Sequence, residues 1–417
     1  MNEKQNLRLK RNVGLDYVHT FLSNMNMQSS IWVYLAYCGL HLAQIGLLEG
    51  IYHATSIVCE IPSGAAADLW GRKRCMVLSN LCIAVSCVIM LFSKSFGWFA
   101  VSFAVQALGN NLNSGSEEAL VYDSMKCLGQ EEHYMGVYGR LNVLIEVAQG
   151  LATVAGGVLA EFSYFWCYAA CVVIAVLALL PVLGMAEPPQ CGKVADTAGG
   201  SAKDAPAEGT PAQRTIWETV KHHFAVSACI LQKDAKIGKI IGFYSVVFAA
   251  HTLLFFYSQQ YFADFGYNKV QISVIMLLVG GASCLGALAS EKMYRRFGKR
   301  CLIPETVIIA AAILCYGSGK AGVAAAALMC AGFANAALYP IQSDSLNALI
   351  PSEQRATLIS VDSMCFSIAM IVLFPLAGAL ADRWGLKTVL LLLGAILLLF
   401  LLTVFCIEKE SFSSDHS

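Results

Sequence analysis

Long apolar runs, separated by short polar or charged stretches, dominate the pattern along this chain. An apolar stretch of about 20 residues is long enough to cross a bilayer as a helix. In lipid the backbone must satisfy its polar groups within its own element, so each run is predicted to be helical. The pattern predicts twelve spans, in two groups of six, near residues 15–37, 40–66, 75–93, 98–121, 138–160, 164–184, 239–260, 270–290, 301–318, 321–342, 356–381 and 385–406.

A long polar segment separates the two groups and divides the chain into four regions. The first and third are predicted to be six-helix bundles, the second a cytoplasmic linker and the fourth a cytoplasmic tail. In chain order they are residues 1–184, 185–238, 239–408 and 409–417.

The linker itself has two parts of different composition. Residues 191–212 are rich in Ala, Gly, Thr, Pro, Lys and Asp, and this composition predicts disorder. Residues 214–235 predict an amphipathic helix that lies on the membrane surface. A plain continuation into the seventh span is the alternative. The apolar face of this helix holds Trp217, Val220, Phe224, Ala228 and Leu231.

Composition supports a membrane protein and excludes several other classes. Of the 417 residues 57% are hydrophobic and 13% are charged, whereas soluble domains carry about 25% charged residues. The formal net charge is zero, so no electrostatic argument points to nucleic acid. The 16 cysteines lie mostly in apolar runs without metal-ligand spacing. We therefore expect them to serve as packing residues, without a disulfide or a metal site.

The distribution of basic residues predicts the topology. If both termini are cytoplasmic, 23 of the 28 Lys and Arg residues fall on the inside, in agreement with the positive-inside rule. An odd number of spans would place many of these basic residues on the outside and remove this asymmetry. We expect a multi-pass protein of the cell membrane.

Matched motifs in the two halves indicate an internal duplication. They occur after the second span, at the end of the fourth span and at the end of the fifth span of each half. Six-helix repeats are a known transporter plan. The matched pairs are Gly71-Arg72-Lys73-Arg74 with Gly298-Lys299-Arg300, Tyr122-Asp123-Ser124 with Ser343-Asp344-Ser345, and Gly157-Val-Leu-Ala-Glu161 with Gly378-Ala-Leu-Ala-Asp382.

The stretch from Glu60 to Arg74 resembles the signature loop of the major facilitator superfamily, in its bacterial efflux-like branch. It has a glycine, an aspartate four residues later and then Gly-Arg-Lys. The copy from Gly286 to Arg300 is degenerate. The resemblance implies an all-α integral membrane fold with twelve transmembrane helices, arranged as two pseudo-twofold-related six-helix bundles around a central cavity.

The resemblance also implies a cytoplasmic latch that holds the inner side closed when the transporter opens outward. An Asp at this depth is costly unless it is paired, which favours a latch. The alternative is that the basic residues after the second span only set the topology. The expected latch residues are Gly64, Asp68, Gly71, Arg72 and Asp123, with Asp344 and Arg355 in the second half.

Polar side chains gather in the first, fourth, seventh and tenth spans, which in this family line the central cavity. Gln106, Asn110, Asn113 and Glu117 follow one another at spacings of four, three and four, which is one face of a helix. Hydrogen bonding between helices without substrate contact is the alternative. The expected cavity residues are Asn24, Gln28, Gln106, Asn110, Asn113, His251, Tyr257, Gln260, Asn335 and Tyr339.

Acidic residues inside the spans are the candidates for proton coupling. An ionised carboxylate is expensive in lipid, so such a group is either paired or exchanges protons with water. Glu117 ends the polar stripe and is the first candidate, followed by Glu49 and Glu146. The proton gradient is then the driving force, and no cofactor is expected.

Two functions remain open. The first is proton-coupled export of small amphipathic or drug-like compounds by a monomer. The alternative is a proton-coupled uptake symporter, or a facilitator, for a polar solute such as a sugar or an organic ion. Drug exporters usually carry an arginine where this chain has Val105, and a Gly-Pro pair where it has Ala152-Thr153. These two departures weaken the case for export. No enzyme signature is present.

Overall fold

The computed structural model describes residues 3–27, 31–189, 235–298, 302–348 and 355–414, and every regular element in these ranges is helical. The first half contains α1 to α8. Their bounds are Glu3–Asn24 (α1), Ile31–Tyr37 (α2), Leu42–Trp70 (α3), Arg72–Phe92 (α4), Phe96–Asn113 (α5), Ser116–Cys127 (α6), Tyr134–Phe162 (α7) and Tyr164–Gly184 (α8).

The second half contains α9 to α14. Short 3₁₀ turns precede α7 and follow α11. The bounds are Ala235–Asp264 (α9), Lys269–Phe297 (α10), Leu302–Cys315 (α11), Ala321–Ala348 (α12), Arg355–Trp384 (α13) and Leu386–Ser414 (α14). The predicted disordered segment 191–212 and surface helix 214–235 lie outside the described residues, apart from the first residue of α9.

Two predicted spans are broken in the structure, so the prediction of one continuous helix for each is wrong. The span at 15–37 becomes α1 and α2, with non-helical residues at 25–27. The span at 98–121 breaks between α5 and α6, where Gly115 takes a φ of +74°. Several Asn, Ser and Gly residues lie close together in sequence around this position, and these residue types favour turns over helix interiors.

Hydropathy identifies fewer spans than the sequence pattern predicts. Among the described residues, eight helices are long and apolar enough to cross a membrane. Five of them lie in the second half, where Leu302–Ser318 is a shorter apolar helix. The other three lie in the first half, namely Arg72–Phe92, Glu131–Phe162 and Tyr164–Gly184. The broken α1–α2 and α5–α6 pairs and α3 fall outside this set, so twelve spans stay a prediction.

The chain divides into two compact units that cut across the halves. The first unit holds the described residues within 1–28, 55–152 and 165–226, and the second holds those within 29–54, 153–164 and 227–417. The second unit therefore contains α2 and the beginning of α3, which belong to the first half by sequence.

An aromatic cluster fixes α2 within the second unit. The ring of Trp32, which is almost fully buried, lies 5.3 Å from Phe256, 5.0 Å from Tyr257 and 5.3 Å from Phe374, measured between ring centroids. Aromatic pairs at such separations contribute beyond their buried area. The cluster joins α2 to α9 and α13.

Small residues let two helices of the second unit approach closely. A Cβ built on Gly286 of α10 would clash with the carbonyl group of Phe333 on α12. Four residues later, Ser290 donates a hydrogen bond to the carbonyl oxygen of Ala337 at 2.9 Å. A pair of small residues at this spacing is typical of helix packing in membranes.

One cysteine departs from the expected packing role. Cys127 is the last residue of α6, and its Sγ lies 3.5 Å from the carbonyl oxygen of Pro189. Unlike most of the other cysteines, Cys127 ends a polar helix and does not lie within an apolar run.

Candidate functional site

A cavity of about 190 Å³ opens within the first unit, among α1, α4, α5 and α8. Amide side chains supply much of its polar wall, and apolar side chains such as Leu22, Ile83 and Ile174 supply the rest. Four of the residues expected from the sequence line it, namely Asn24, Gln106, Asn110 and Asn113. Asn26 and Asn80 also line it and were missed by the sequence analysis.

Glu117 sits at the beginning of α6, directly after the helix break. Its Oε1 accepts a hydrogen bond from the Thr20 hydroxyl at 2.8 Å, and its Oε2 accepts one from the Asn113 amide at 2.5 Å. The break therefore keeps Asn113 and Glu117 together although they belong to different helices. The carboxylate lies next to the cavity, since Asn113 lines that cavity.

His19 connects the cavity wall to Glu117. Its Nδ1 lies 3.0 Å from the carbonyl oxygen of Ala178, which only accepts, so Nδ1 carries a proton and donates. In the neutral ring Nε2 is then the acceptor. Nε2 lies 3.9 Å from Oε1 of Glu117 and has no hydrogen-bond partner among the described residues.

Asp16 is a buried acid that the sequence analysis missed. It lies on α1 one turn before Thr20, and 1% of its surface is exposed. Neither carboxylate oxygen has a hydrogen-bond partner in the described part of the chain, and its charge interacts with that of Glu117. The sequence did offer one signal for Asp16. It is an acid near the polar end of the first predicted span, on the same helix face as Thr20.

The other two predicted coupling acids have different surroundings. Glu49 lies half-buried on α3 in the second unit, and Glu146 lies exposed on α7 in the first unit. Among the predicted coupling acids, only Glu117 lies beside the cavity described here. Gln28 lies outside the described residues.

The cavity residues predicted in the second half all lie in the second unit. Tyr257 is buried and donates a hydrogen bond to the carbonyl oxygen of Phe374 at 3.2 Å, while Gln260 donates one to Asp264 at 2.8 Å. Tyr339 is exposed. Nε2 of His251 and Oδ1 of Asn335 are buried without a hydrogen-bond partner among the described residues.

Arg72 and Asp123 meet at the beginning of α4. The guanidinium of Arg72 donates from Nη1 to Oδ2 of Asp123 and, at 2.6 Å, to the carbonyl oxygen of Ala119. Arg72 therefore ties the start of α4 to α6. The side chains of Asp68, Asp344 and Arg355 lie outside the described part of the structure, so their expected roles stay predictions.

Glu187 completes this network and was missed by the sequence analysis. Its two carboxylate oxygens accept hydrogen bonds from the backbone amides of Arg72 at 2.7 Å and Lys73 at 2.8 Å. A carboxylate at a helix N-terminus satisfies unpaired amides and complements the helix dipole. Lys73 in turn donates to the carbonyl oxygens of Leu183 and Met185 at 2.8 and 2.7 Å, which ties α4 to the end of α8.

The two glycines of the signature loop have different surroundings. Gly71 has a φ of +97°, which favours glycine, and a Cβ there would lie 3.1 Å from the Glu187 carboxyl carbon. A Cβ built on Gly64 would meet no described atom within 4 Å, so no described helix packs closely against this glycine.

Sequence comparisons identify relatives across the whole chain. The family model described as Major Facilitator Superfamily matches residues 18–317 and 306–415. A curated protein of Bacillus subtilis (strain 168), "Uncharacterized MFS-type transporter YxaM", is 21% identical over 379 residues, which are 90% of each chain. An "Uncharacterized transporter" of Buchnera aphidicola subsp. Schizaphis graminum (strain Sg) is 28% identical over 185 residues, and the match spans 46% of that protein.

Solved structures show the same fold at low sequence identity. The nucleoside transporter NupG superimposes with a TM-score of 0.74 at 14% identity, covering 98% of this chain and all of that chain. A bacterial homolog of the human lysosomal transporter Spinster, in an inward-facing and unoccupied conformation, gives a TM-score of 0.70 at 17% identity. That match covers 100% of this chain and 99% of the other.

Proposed function

Because the chain belongs to the Major Facilitator Superfamily, we propose that it is a proton-coupled carrier of a small amphipathic solute that works by alternating access. Its membership makes it a multi-pass membrane transporter with the fold of that family. What we propose beyond this membership is the kind of solute, the coupling ion and the direction of transport. The cavity in the first unit, with Glu117 beside it, is the observation that carries the proposal.

The lining of the cavity supports an uncharged solute that has both polar and apolar faces. Amides such as Gln106, Asn110 and Asn113 donate and accept hydrogen bonds, while Ile83 and Ile174 offer apolar contact. None of the described residues that line the cavity is a Lys, Arg or Asp, so this lining offers no charge partner for an ionised group. At about 190 Å³ it is smaller than the usual pocket for drug-sized ligands, about 300–1,000 Å³, which favours a small solute or one part of a larger one.

The surroundings of Glu117 support proton coupling. Thr20 and Asn113 stabilise the ionised carboxylate by hydrogen bonds. Nε2 of His19 is the nearby acceptor that a protonated carboxyl group would face, at 3.9 Å and so beyond hydrogen-bond distance in this structure. Asp16, buried and without a hydrogen-bond partner among the described residues, provides a second carboxyl group whose charge interacts with that of Glu117. Intramembrane acids of this kind mark proton relays in transporters. We assign proton binding to Glu117 and Asp16, with His19 as the link to the cavity wall.

Proton-driven export is the proposed direction, with inward proton movement driving the solute out. The support is the efflux-like signature loop from Glu60 to Arg74. Uptake with protons is the second candidate, because the polar wall of the cavity also suits a sugar-like solute.

One experiment separates these possibilities. The purified protein is reconstituted in liposomes that contain a pH-sensitive dye, at equal pH on both sides, and neutral solutes with polar and apolar faces are added outside. An antiporter makes the lumen alkaline as the solute enters, and a symporter makes it acidic. Solute counterflow without any change in lumenal pH contradicts proton coupling.

A further inference from the structure

Two helices of the second unit begin in the same way, and both begin against an acidic residue from another helix. Asp382 of α13 accepts hydrogen bonds from the backbone amides of Leu42 at 3.0 Å and Ala43 at 2.9 Å, where α3 begins. Glu161 of α7 accepts one from the backbone amide of Lys269 at 3.1 Å, where α10 begins. All of these residues belong to the second unit.

The two contacts are equivalent positions of the internal repeat. Glu161 and Asp382 end the matched motifs Gly157-Val-Leu-Ala-Glu161 and Gly378-Ala-Leu-Ala-Asp382. Their partners α3 and α10 correspond to the second predicted spans of the two halves. Each contact therefore joins the fifth predicted span of one half to the second predicted span of the other half.

The glycine of each motif allows the close approach that the acid needs. A Cβ built on Gly378 would clash with the carbonyl oxygen of Leu42, and one built on Gly157 would clash with Ser273 and lie 3.0 Å from the carbonyl oxygen of Lys269. In both cases the glycine packs on the first residue of the helix that the acid caps. The spacing of four residues places glycine and acid on one helix face.

The beginnings of α3 and α10 are also capped locally in the same way. The amide of His41 donates to Oε1 of Gln44 at 3.1 Å, and the amide of Asn268 donates to Oε1 of Gln271 at 3.0 Å. These local bonds leave the next amides unpaired within the helix. The acids satisfy those amides from another helix, at the positive end of the helix dipole.

We propose that Asp382 and Glu161 are two matched latches that release together when the carrier opens on the side where α3 and α10 begin. Both latches lie at the surface, because both acids are exposed, so water can replace each carboxylate during the cycle. A carboxylate at an exposed helix N-terminus contributes modestly, which suits a contact that must break in every turnover. The proposal rests on the alternating-access part of the proposed function.

Hydrogen–deuterium exchange of the full-length protein in lipid nanodiscs, without substrate, tests the proposal. Peptides at the beginnings of α3 and α10 report the two latches separately. Asp382→Asn keeps the size of the side chain but removes its charge, as does Glu161→Gln. If the latches release together, each single variant raises exchange about threefold at both helix beginnings, and the double variant raises it about tenfold.

A merely local capping role gives a different result. In that case Asp382→Asn changes exchange only at the beginning of α3, and Glu161→Gln only at the beginning of α10, which overturns the proposal. Asp264→Asn is the matched control, because Asp264 ends α9 exposed and accepts its hydrogen bond from Gln260 of the same helix. It is expected to leave both peptides unchanged.

A second variant tests the close approach with both acids intact. Gly378→Ala introduces the clash with Leu42 and is expected to raise exchange at both helix beginnings, with the level of inserted protein unchanged. Unchanged exchange at α10 in this variant also contradicts coupled release. Because no substrate or pH gradient is present, these results stand apart from those of the dye experiment, which tests coupling and solute.

Discussion

The hydroxyl of Thr20 on α1 donates a hydrogen bond to Oε1 of Glu117 on α6 at 2.8 Å. This bond joins the first and fourth predicted spans at a carboxylate, within a unit that also holds the amide-rich cavity. Glu117 is 19% exposed and His19 1% exposed at the side chain. The carboxyl group thus stays partly accessible while its histidine neighbour is fixed in place, an arrangement suited to receiving and returning a proton.

The cavity residues are predicted to set substrate affinity. Asn110→Ala removes an amide from the cavity wall and is expected to raise the KM for the transported solute about three- to tenfold, because a hydrogen bond contributes about 0.5–1.5 kcal/mol. Initial transport rates in proteoliposomes measure this. The control is Val101→Ala on the same helix, at an exposed side chain outside the cavity. Equal KM values for Asn110→Ala and the parent would remove Asn110 from the binding site.

The contact between Arg72 and Asp123 is predicted to affect turnover. Asp123→Asn removes the charge partner of Arg72 and is expected to lower turnover roughly three- to tenfold, since hydrogen bonds to charged groups contribute about 1.5–3 kcal/mol before solvent screening. Transport rates normalised to the amount of inserted protein measure this. Arg74→Gln is the control, because Arg74 lies exposed on the same helix turn. Turnover at the parent level in Asp123→Asn would discredit the latch.

The expected latch also includes Asp68, on the evidence of the signature motif. Asp68→Asn is predicted to slow turnover in the same way while the protein still inserts. Reconstituted transport rates compared with those of Asp123→Asn measure this effect. A normal rate would restrict the latch to Arg72 and Asp123.

Helix packing at Gly286 is predicted to affect stability. Gly286→Ala forces a Cβ into the carbonyl group of Phe333, and overpacking of this kind costs about 1–3 kcal/mol. We expect a lower midpoint of thermal unfolding in detergent. Gly280→Ala on the same helix is the control, because a Cβ there would meet no described atom within 4 Å. If both variants unfold at the same temperature, the close approach is not important for stability.

The family and its fold were predictable from sequence, because they depend on features that a sequence shows directly. Hydropathy marks helices, and the residues from Glu60 to Arg74 mark the family. The family model confirms the resemblance, and the solved structures confirm the fold. Glu117 was identified as an acid on a polar helix face, and the structure places it beside Asn113.

The features that sequence reasoning missed depend on contacts between distant segments. Glu187 follows α8 in a polar stretch, and only the folded chain brings it to the amides of Arg72 and Lys73. Asp16 and His19 lie near the beginning of the predicted span 15–37, which carries many polar residues, so no pattern there distinguishes a buried acid from an exposed one. Turn-forming residues surround the helix break at Gly115. The polar stripe nevertheless keeps a helical spacing across this position, so the sequence analysis predicted one continuous helix.

The central claim, that Glu117 couples proton movement to solute movement, is tested most directly by comparing Glu117→Gln with Glu118→Gln in dye-loaded proteoliposomes. Glu118 is the exposed neighbour on α6 and is expected to behave like the parent. Glu117→Gln is predicted to abolish solute accumulation driven by an imposed pH gradient, and the lumenal pH change, while solute counterflow continues. Accumulation at the parent level in Glu117→Gln would contradict the claim.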